Sequence, residues 1–250
     1  MNLDQPWKIA ALIGLLAFLR IVWGFWRHAP ARNFMLELLD SGLIAFVLVF
    51  LLIRPFVVQA FYIPSASMEP TLEKHDRILV NKFIYRLNQP RRGDIIVFDA
   101  PPQALHGDGR KDFVKRLIGL PGDVIEIKRG DAVYINGRRL QEPSPIPRPD
   151  YDWPVDEYGL PTAEGYRVPD GCCFVLGDNR NDSNDSHRWT DPLTGQPRPD
   201  LQATRVVGKA MVIFWPPLRI RLAEDNRQLG LEEGPEVVAK PSPRAQAAVP

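Results

Sequence analysis

The sequence predicts a mainly-β domain carried on an N-terminal anchor of two transmembrane helices. Three observations carry this reading. Two long apolar runs stand at the N-terminus, over residues 9–26 and 36–53. From Phe56 onward the pattern changes to short runs rich in Val, Ile and Phe, separated by turn signals. Nothing beyond that point keeps a long 3.6-residue period. With 250 residues the chain is long enough for one anchor and one domain with a core of its own.

The first run, "IAALIGLLAFLRIVWGFW", is broken by Arg20, and a mid-bilayer arginine costs about 2.5–3.5 kcal/mol unless it snorkels toward one end. The second is fully apolar only from Gly42 to Ile53, so it must borrow the Glu37–Ser41 turn at one interface to reach the roughly 20 residues a span needs. The link 27–35 carries Arg27, His28 and Arg32, against Lys8 and Asp4 at the N-terminus. An excess of positive charge in the link places it in the cytoplasm and the following domain outside. A cleaved signal peptide over residues 1–31, ending at Ala29-Pro30-Ala31, is the rival reading; bulky Trp23, Phe25 and Trp26 stand where it would want small residues.

The segments "RILV" (77–80), "DIIVF" (94–98), "FVKRLIGL" (113–120), "DVIEIK" (123–128), "AVYI" (132–135), "CCFVLG" (172–177) and "RVVGKAMVIFW" (205–215) read as strands. Asn136-Gly137, between "VYI" and "RRL", is a hairpin signal. Residues 141–165 are proline-rich and acidic and read as an exposed insertion or small lobe within a domain bounded at 56–222. The tail 223–250 lacks the apolar periodicity to pack and reads as disordered. The net charge of +1 argues against a nucleic-acid surface. The two cysteines, Cys172 and Cys173, are adjacent, which disfavours a disulfide between them and fails zinc and redox spacings. Alternation along a strand sends one thiol inward and one outward.

Chemistry concentrates in three stretches. In "FYIPSASMEP" Pro64 and Pro70 fix the backbone on either side of Ser67, and Ile63 and Met68 supply apolar walls. A serine nucleophile needs a base and donors for its oxyanion. Histidine is scarce: apart from His28 in the link there are His75, His106 and His187, none in a recognisable triad signature. In "DFVKRLIGLPGD" strand alternation puts Lys115 on one face with Phe113 and Leu117, an ammonium among apolar neighbours. Burial there would lower its pKa and make it a usable base, while a strand-edge position would leave it a solvated charge. "LGDNRNDSNDSHRW" (176–189) is rich in side chains that bond to local backbone, and it lacks the Gly and terminal Glu of a calcium loop. It reads as a structural turn or as a hydrogen-bonding bracket for a catalytic group.

The ordered blocks "FVVQAFYIPSASMEPTL", "RGDIIVF", "FVKRLIGLPGDVIEI" and "GDNRNDSNDS", following membrane spans, closely resemble type I signal peptidase. That is the bacterial leader peptidase, which cuts signal peptides from exported proteins with a Ser–Lys dyad. The likeness covers residues 56–215. It implies Ser67 as nucleophile and Lys115 as general base, with the Ser65 hydroxyl and the Ser67 N–H forming the oxyanion hole. Ser183 would orient Lys115, and Asp178 would pair with Arg116. Asp185 would belong to a supporting ion pair. Phe61, Ile63, Met68, Leu72, Ile78, Val97 and Val114 would line shallow pockets for small residues at the first and third positions before the cut.

The implied fold is a coiled antiparallel β-sheet on the membrane anchor, with the substrate adding as an extended strand. The implied place is the bacterial plasma membrane, with the catalytic domain on the periplasmic or extracytoplasmic side. Partners are the signal peptides of secretory preproteins and membrane lipid, with contact to the translocon left open; no nucleic acid, metal or cofactor is implied. Two departures stand out. Ala66 replaces the more usual Gly, and the acidic block reads Asp185-Ser186-His187-Arg188 where Asp-Ser-Arg is usual. We expect Arg188 to bend back to Asp185 and take the missing arginine's place, with His187 as the alternative partner. A self-cleaving repressor on the same sheet, a non-catalytic β-domain and a Ser–His–Asp hydrolase using His75 or His187 are the other readings.

Overall fold

The computed structural model describes residues 6–25, 32–49, 58–105, 111–142, 145–155, 162, 164–223 and 229–232. The chain divides into two compact units, Met1–Gln59 and Ala60–Pro250, so the boundary falls a few residues later than the sequence suggests.

The first unit holds helices α1 (Pro6–Phe25) and α2 (Arg32–Val47). Arg20 on α1 forms an ion pair with Asp40 on α2, with a second bond from Nη2 to Oδ2 of 3.2 Å. The charge that interrupts the first apolar run therefore has a partner on the other helix. Among the described residues no helix is long and apolar enough to cross a membrane. Helix α2, at 16 residues, rises only about 24 Å, short of the roughly 30 Å of a hydrocarbon core. It starts inside the expected link, and the apolar end of the second run, residues 50–53, lies outside the described residues. So does the proposed cleavage site at 29–31.

The second unit is built on antiparallel strands. Its main sheet runs in the order β1 (Val58–Tyr62), β2 (Arg77–Asn81), β11 (Val206–Trp215), β3 (Ile95–Asp99), β4 (Asp112–Gly119), β9 (Cys172–Leu176) and β10 (Leu201–Gln202), with β12 (Arg221–Leu222) added on β11. A smaller sheet orders β7 (Arg138–Arg139), β6 (Val133–Ile135), β5 (Val124–Ile127) and β8 (Tyr166–Arg167). Strand β11 is the spine: register shifts on both its edges, between Val206 and Gly208, Ala210 and Val212, and Ile213 and Trp215, bend and twist it, which curls the sheet. Asn136 and Gly137 take φ of 54° and 75°, the left-handed pair that a two-residue hairpin turn requires, and join β6 to β7 as the sequence predicts.

Three apolar clusters fill the unit. Ile63, Met68, Leu72, Ile78, Val80, Val97 and Ile213 pack beneath the first serine-bearing stretch. Ile96, Phe98, Leu117, Val175 and Trp189 pack on another part of the main sheet. Ile118, Ile125, Ile135, Phe174 and Trp153 pack with the small sheet. Cys173 is buried and Cys172 half-buried, both free, as alternation requires.

Two expectations need correction. Residues 145–155 of the insertion do not form a separate exposed lobe: Trp153 is buried on Phe174, and the Asn181 side chain bonds both the Asp150 N–H and the Arg148 carbonyl, at 2.9 and 3.2 Å. Nor is the whole of 223–250 a loose tail. Leu229 is buried, Leu231 bridges to Leu140, and Gln141 N–H donates to the Gly230 carbonyl at 2.9 Å. The alternation Leu229-Gly230-Leu231 gives these residues one apolar face, too short to register as a period.

Candidate active site

Ser67 lies on a turn held from below and behind. Met68 and Leu72 are fully buried, and Leu72 N–H donates to the Met68 carbonyl at 2.9 Å. Ile63 exchanges bonds with Asp76 and His75, which ties the start of the turn to the approach to β2. From the loop after β9, Asn179 grips the turn twice: its N–H donates to the Ser67 carbonyl at 3.1 Å and its side chain to the Ala66 carbonyl at 3.3 Å.

Strand β4 delivers the amine. Lys115 sits opposite Ile96 of β3, with a side chain only 4 % exposed, and its Nζ donates to Ser67 Oγ at 2.5 Å. The Phe113 ring centroid is 5.8 Å from Nζ. Burial drives the Lys115 pKa down to about 8, against the opposing pull of the Asp185 and Asp178 carboxylates. The solvated-lysine reading of the sequence is thereby excluded. Ser65 Oγ lies 3.3 Å from Ser67 Oγ, on the same rim.

The loop 177–188 brackets this pair. Asp178 receives Arg116 through two bonds, Nε at 2.7 Å and Nη2 at 2.6 Å, and accepts a third from Thr71 Oγ1 at 2.5 Å. One carboxylate thus links the lysine strand to the serine turn, and Thr71 is a partner the sequence reading missed. Ser183 stands in the same corner but does not hydrogen-bond Lys115: its Oγ is buried without a partner. Crowding at Gly177 explains where it sits. A Cβ added to Gly177 would lie 2.2 Å from Ser183 Oγ and 2.4 Å from the Ser67 carbonyl oxygen.

The Asp185 partner is His187, not Arg188. His187 Nδ1 is 2.5 Å from Asp185 Oδ1, and Gly177 N–H donates to Oδ2 at 2.8 Å. Arg188 turns outward, donating from Nε to His187 Nε2 at 3.2 Å and from Nη2 to the Asn181 carbonyl at 3.0 Å. A short 3-10 turn over Ser186–Arg188, capped by the Asp185 side chain, folds the His187 ring back and leaves Arg188 no path inward. Complete burial pushes the Asp185 carboxyl upward, yet the His187 ring, the Gly177 N–H and the Lys115 charge together hold it below the usual range. Arg180, wholly buried, bonds Glu142 Oε2 at 2.9 Å and the Gly177 carbonyl at 3.0 Å; neither residue was expected here.

An open groove of about 740 Å³ runs past Ser67 and Lys115. Phe61, Ile63, Met68 and Val114 line it as expected, together with Tyr62, Phe113 and, at its charged margins, Lys74, Lys111, Asp112 and Asp182. Leu72, Ile78 and Val97 are fully buried and support the wall from behind instead of lining it. Beside the groove, β4 pairs with β3 from Asp112 onward but with β9 only from Arg116, so among the described residues the second backbone edge of Asp112–Lys115 carries no strand partner.

An amine that gives up its proton near pH 8, bonded to a serine hydroxyl at an apolar groove, can do the chemistry of a serine hydrolase whose base is lysine. Comparison with known proteins narrows the class. The profile of the family "Signal peptidase, peptidase S26" matches residues 35–215. "Probable signal peptidase I-2" of a Synechocystis strain is 40 % identical over 203 residues, covering 81 % of this chain and 83 % of its own. "Signal peptidase I" of Leptolyngbya laminosa is 44 % identical over 171 residues, 67 % and 74 % of the two chains. "Signal peptidase I" of Pseudomonas fluorescens is 32 % identical over 219 residues, 72 % and 74 %. The chain belongs to the signal peptidase family, and is a serine endopeptidase.

Proposed function

We propose that this endopeptidase removes signal peptides from exported preproteins with Ser67 as nucleophile and Lys115 as general base. The observation that carries the assignment is the 2.5 Å bond between Ser67 Oγ and a buried lysine whose pKa is lowered to about 8. Neutral Lys115 takes the Ser67 proton as Oγ attacks the scissile carbonyl. The oxyanion is held by the Ser65 hydroxyl and the Ser67 N–H. The lysine ammonium then gives its proton to the leaving amine, which becomes the N-terminus of the mature protein. Water, activated by the same lysine, releases the signal peptide from the acyl-enzyme.

The substrate enters as an extended strand on the open edge of Asp112–Lys115. The walls from Phe61, Ile63, Met68 and Val114 then favour small side chains at the first and third positions before the cut. Arg116, Asp178 and Asp185 support the pair, with Ser183 filling the corner beside Gly177. Helices α1 and α2, with the apolar residues that follow them, anchor the enzyme as a multi-pass protein of the bacterial plasma membrane. The link 27–35 then faces the cytoplasm and the catalytic domain the extracytoplasmic side, where lipid and the translocon are its neighbours.

A histidine base is less well supported. His75 Nδ1 bonds the Tyr62 hydroxyl at 2.5 Å and His187 bonds Asp185 and Arg188, while among the described residues the nitrogen bonded to Ser67 Oγ is that of Lys115. Cleavage of a secretory preprotein by purified protein in detergent tests the reading. Ser67→Ala and Lys115→Ala should each abolish the cut with the fold intact by circular dichroism, and His75→Ala should retain it. Activity in Lys115→Ala, with loss in a histidine variant, would overturn it.

A further inference from the structure

Burial is what chiefly loosens the proton on Lys115, and the charges of two carboxylates, Asp185 and Asp178, pull the other way. Asp178 is matched by the doubly bonded Arg116. Among the described residues Asp185 has no arginine on it. A carboxylate left to itself beside an amine would hold a proton there and blunt the base. What Asp185 has is the His187 ring at 2.5 Å, held in place by parallel stacking on Tyr151, with centroids 4.2 Å apart and planes 9° apart.

The hydrogen bonds fix the ring's tautomer. Arg188 Nε donates into Nε2, so the proton lies on Nδ1 and points at Asp185. Surface charge on Arg188 is thereby passed through the imidazole ring to a carboxylate that is wholly buried. Around Tyr151 stand Arg180 and Glu142, already bonded to each other, so they add little net charge.

We propose that His187, clamped on Tyr151 and fed by Arg188, is a positioning residue that draws the Asp185 charge away from Lys115 and so keeps the amine available as a base. This rests on the reading of Lys115 as the base.

The test is the pH profile of kcat/KM for preprotein cleavage, from pH 6 to 10, for the parent, His187→Ala and Arg188→Gln in detergent. In His187→Ala the acid limb should move to higher pH, with a loss at pH 7 of roughly three- to tenfold that is recovered by pH 10. Arg188→Gln removes an exposed side chain, so it should fold normally and shift the limb the same way by less. A uniform loss at every pH, or an unmoved limb in both variants, would overturn the proposal; if His187→Ala does not fold, an unmoved limb in Arg188→Gln is enough. Failure of the underlying reading looks different: the parent would show no acid limb, or Lys115→Ala would keep it.

Discussion

Replacing Lys115 with Met should inactivate the enzyme and stabilise it, and the stabilisation should vanish at high pH. In the unfolded chain the amine holds its proton to about pH 10.5, in the folded chain only to about pH 8. Between those values the unfolded state binds more protons, so stability rises with pH across that window. Below about pH 8 the folded protein carries the whole penalty of a buried ammonium, about 3 kcal/mol for an interval of that width. Methionine fills a similar volume without charge, and losing the bond to Ser67 costs about 1 kcal/mol in return. Lys115→Met should therefore gain about 2 kcal/mol at pH 7, a rise in Tm of roughly 4–8 °C for a domain of this size. The gain should vanish at about pH 9.5 and give way to a deficit of about 1 kcal/mol by about pH 10.5, where only the lost bond to Ser67 remains.

On the proposed mechanism the same group governs the rate. At pH 7 roughly one amine in ten is neutral, some three-hundredfold more than for an ordinary lysine, and kcat/KM of the parent should rise about tenfold per pH unit before levelling near pH 8. Thermal unfolding at pH 7 and 10.5, alongside the rate profile, checks both halves. A Lys115→Met protein less stable than the parent at pH 7, or an advantage that does not depend on pH, would refute the reasoning.

Arg116→Met or Asp178→Asn alone leaves a buried charge unmatched and should destabilise by roughly 3–5 kcal/mol, while the double variant should recover much of that in denaturant unfolding. Gly177→Ala should reduce cleavage more than stability, because the added Cβ meets the Ser67 carbonyl oxygen at 2.4 Å and must shift the nucleophile; Ser183→Ala in that background should relieve only part of the defect. Peptides with Ala, Gly or Ser at the first position before the cut should be turned over and those with Phe should not, and equal turnover would discount Ile63 and Met68 as walls.

Much of the fold follows from short-range pattern. The alternation around Lys115 and the Asn136-Gly137 turn announce β4 and the β6–β7 hairpin because each is decided within a few residues. The pairing of Ser67 with Lys115 spans 48 positions and was reached through the order of motifs rather than through any local rule. What stayed hidden depends on tertiary placement. Stacking of Tyr151 on His187 joins residues 36 positions apart, and no periodicity ties the proline-rich segment to the acidic loop. The preference for Arg188 as the Asp185 partner failed for a local reason that lacks a strong signal: a three-residue 3-10 turn decides which of two adjacent side chains faces inward. Buried Arg180 with Glu142 was missed because either residue, taken singly, reads as surface.

An unpaired strand edge, such as the one along Asp112–Lys115, is a hazard as well as an entrance. Backbone hydrogen bonds do not distinguish one extended chain from another, so this edge would template self-association if it lay flat and apolar. Here it lies in a groove, with Lys111 and Asp112 at its margin and the Lys115 ammonium turned inward. Pairing with the edge of another copy would bury those charges, which disfavours lasting self-association. On the proposed reading, a visiting strand with small, uncharged side chains carries less of that cost, and once it is cut the fragment left behind holds fewer backbone bonds than the chain that entered. Insolubility is avoided and turnover assisted by one arrangement of charge.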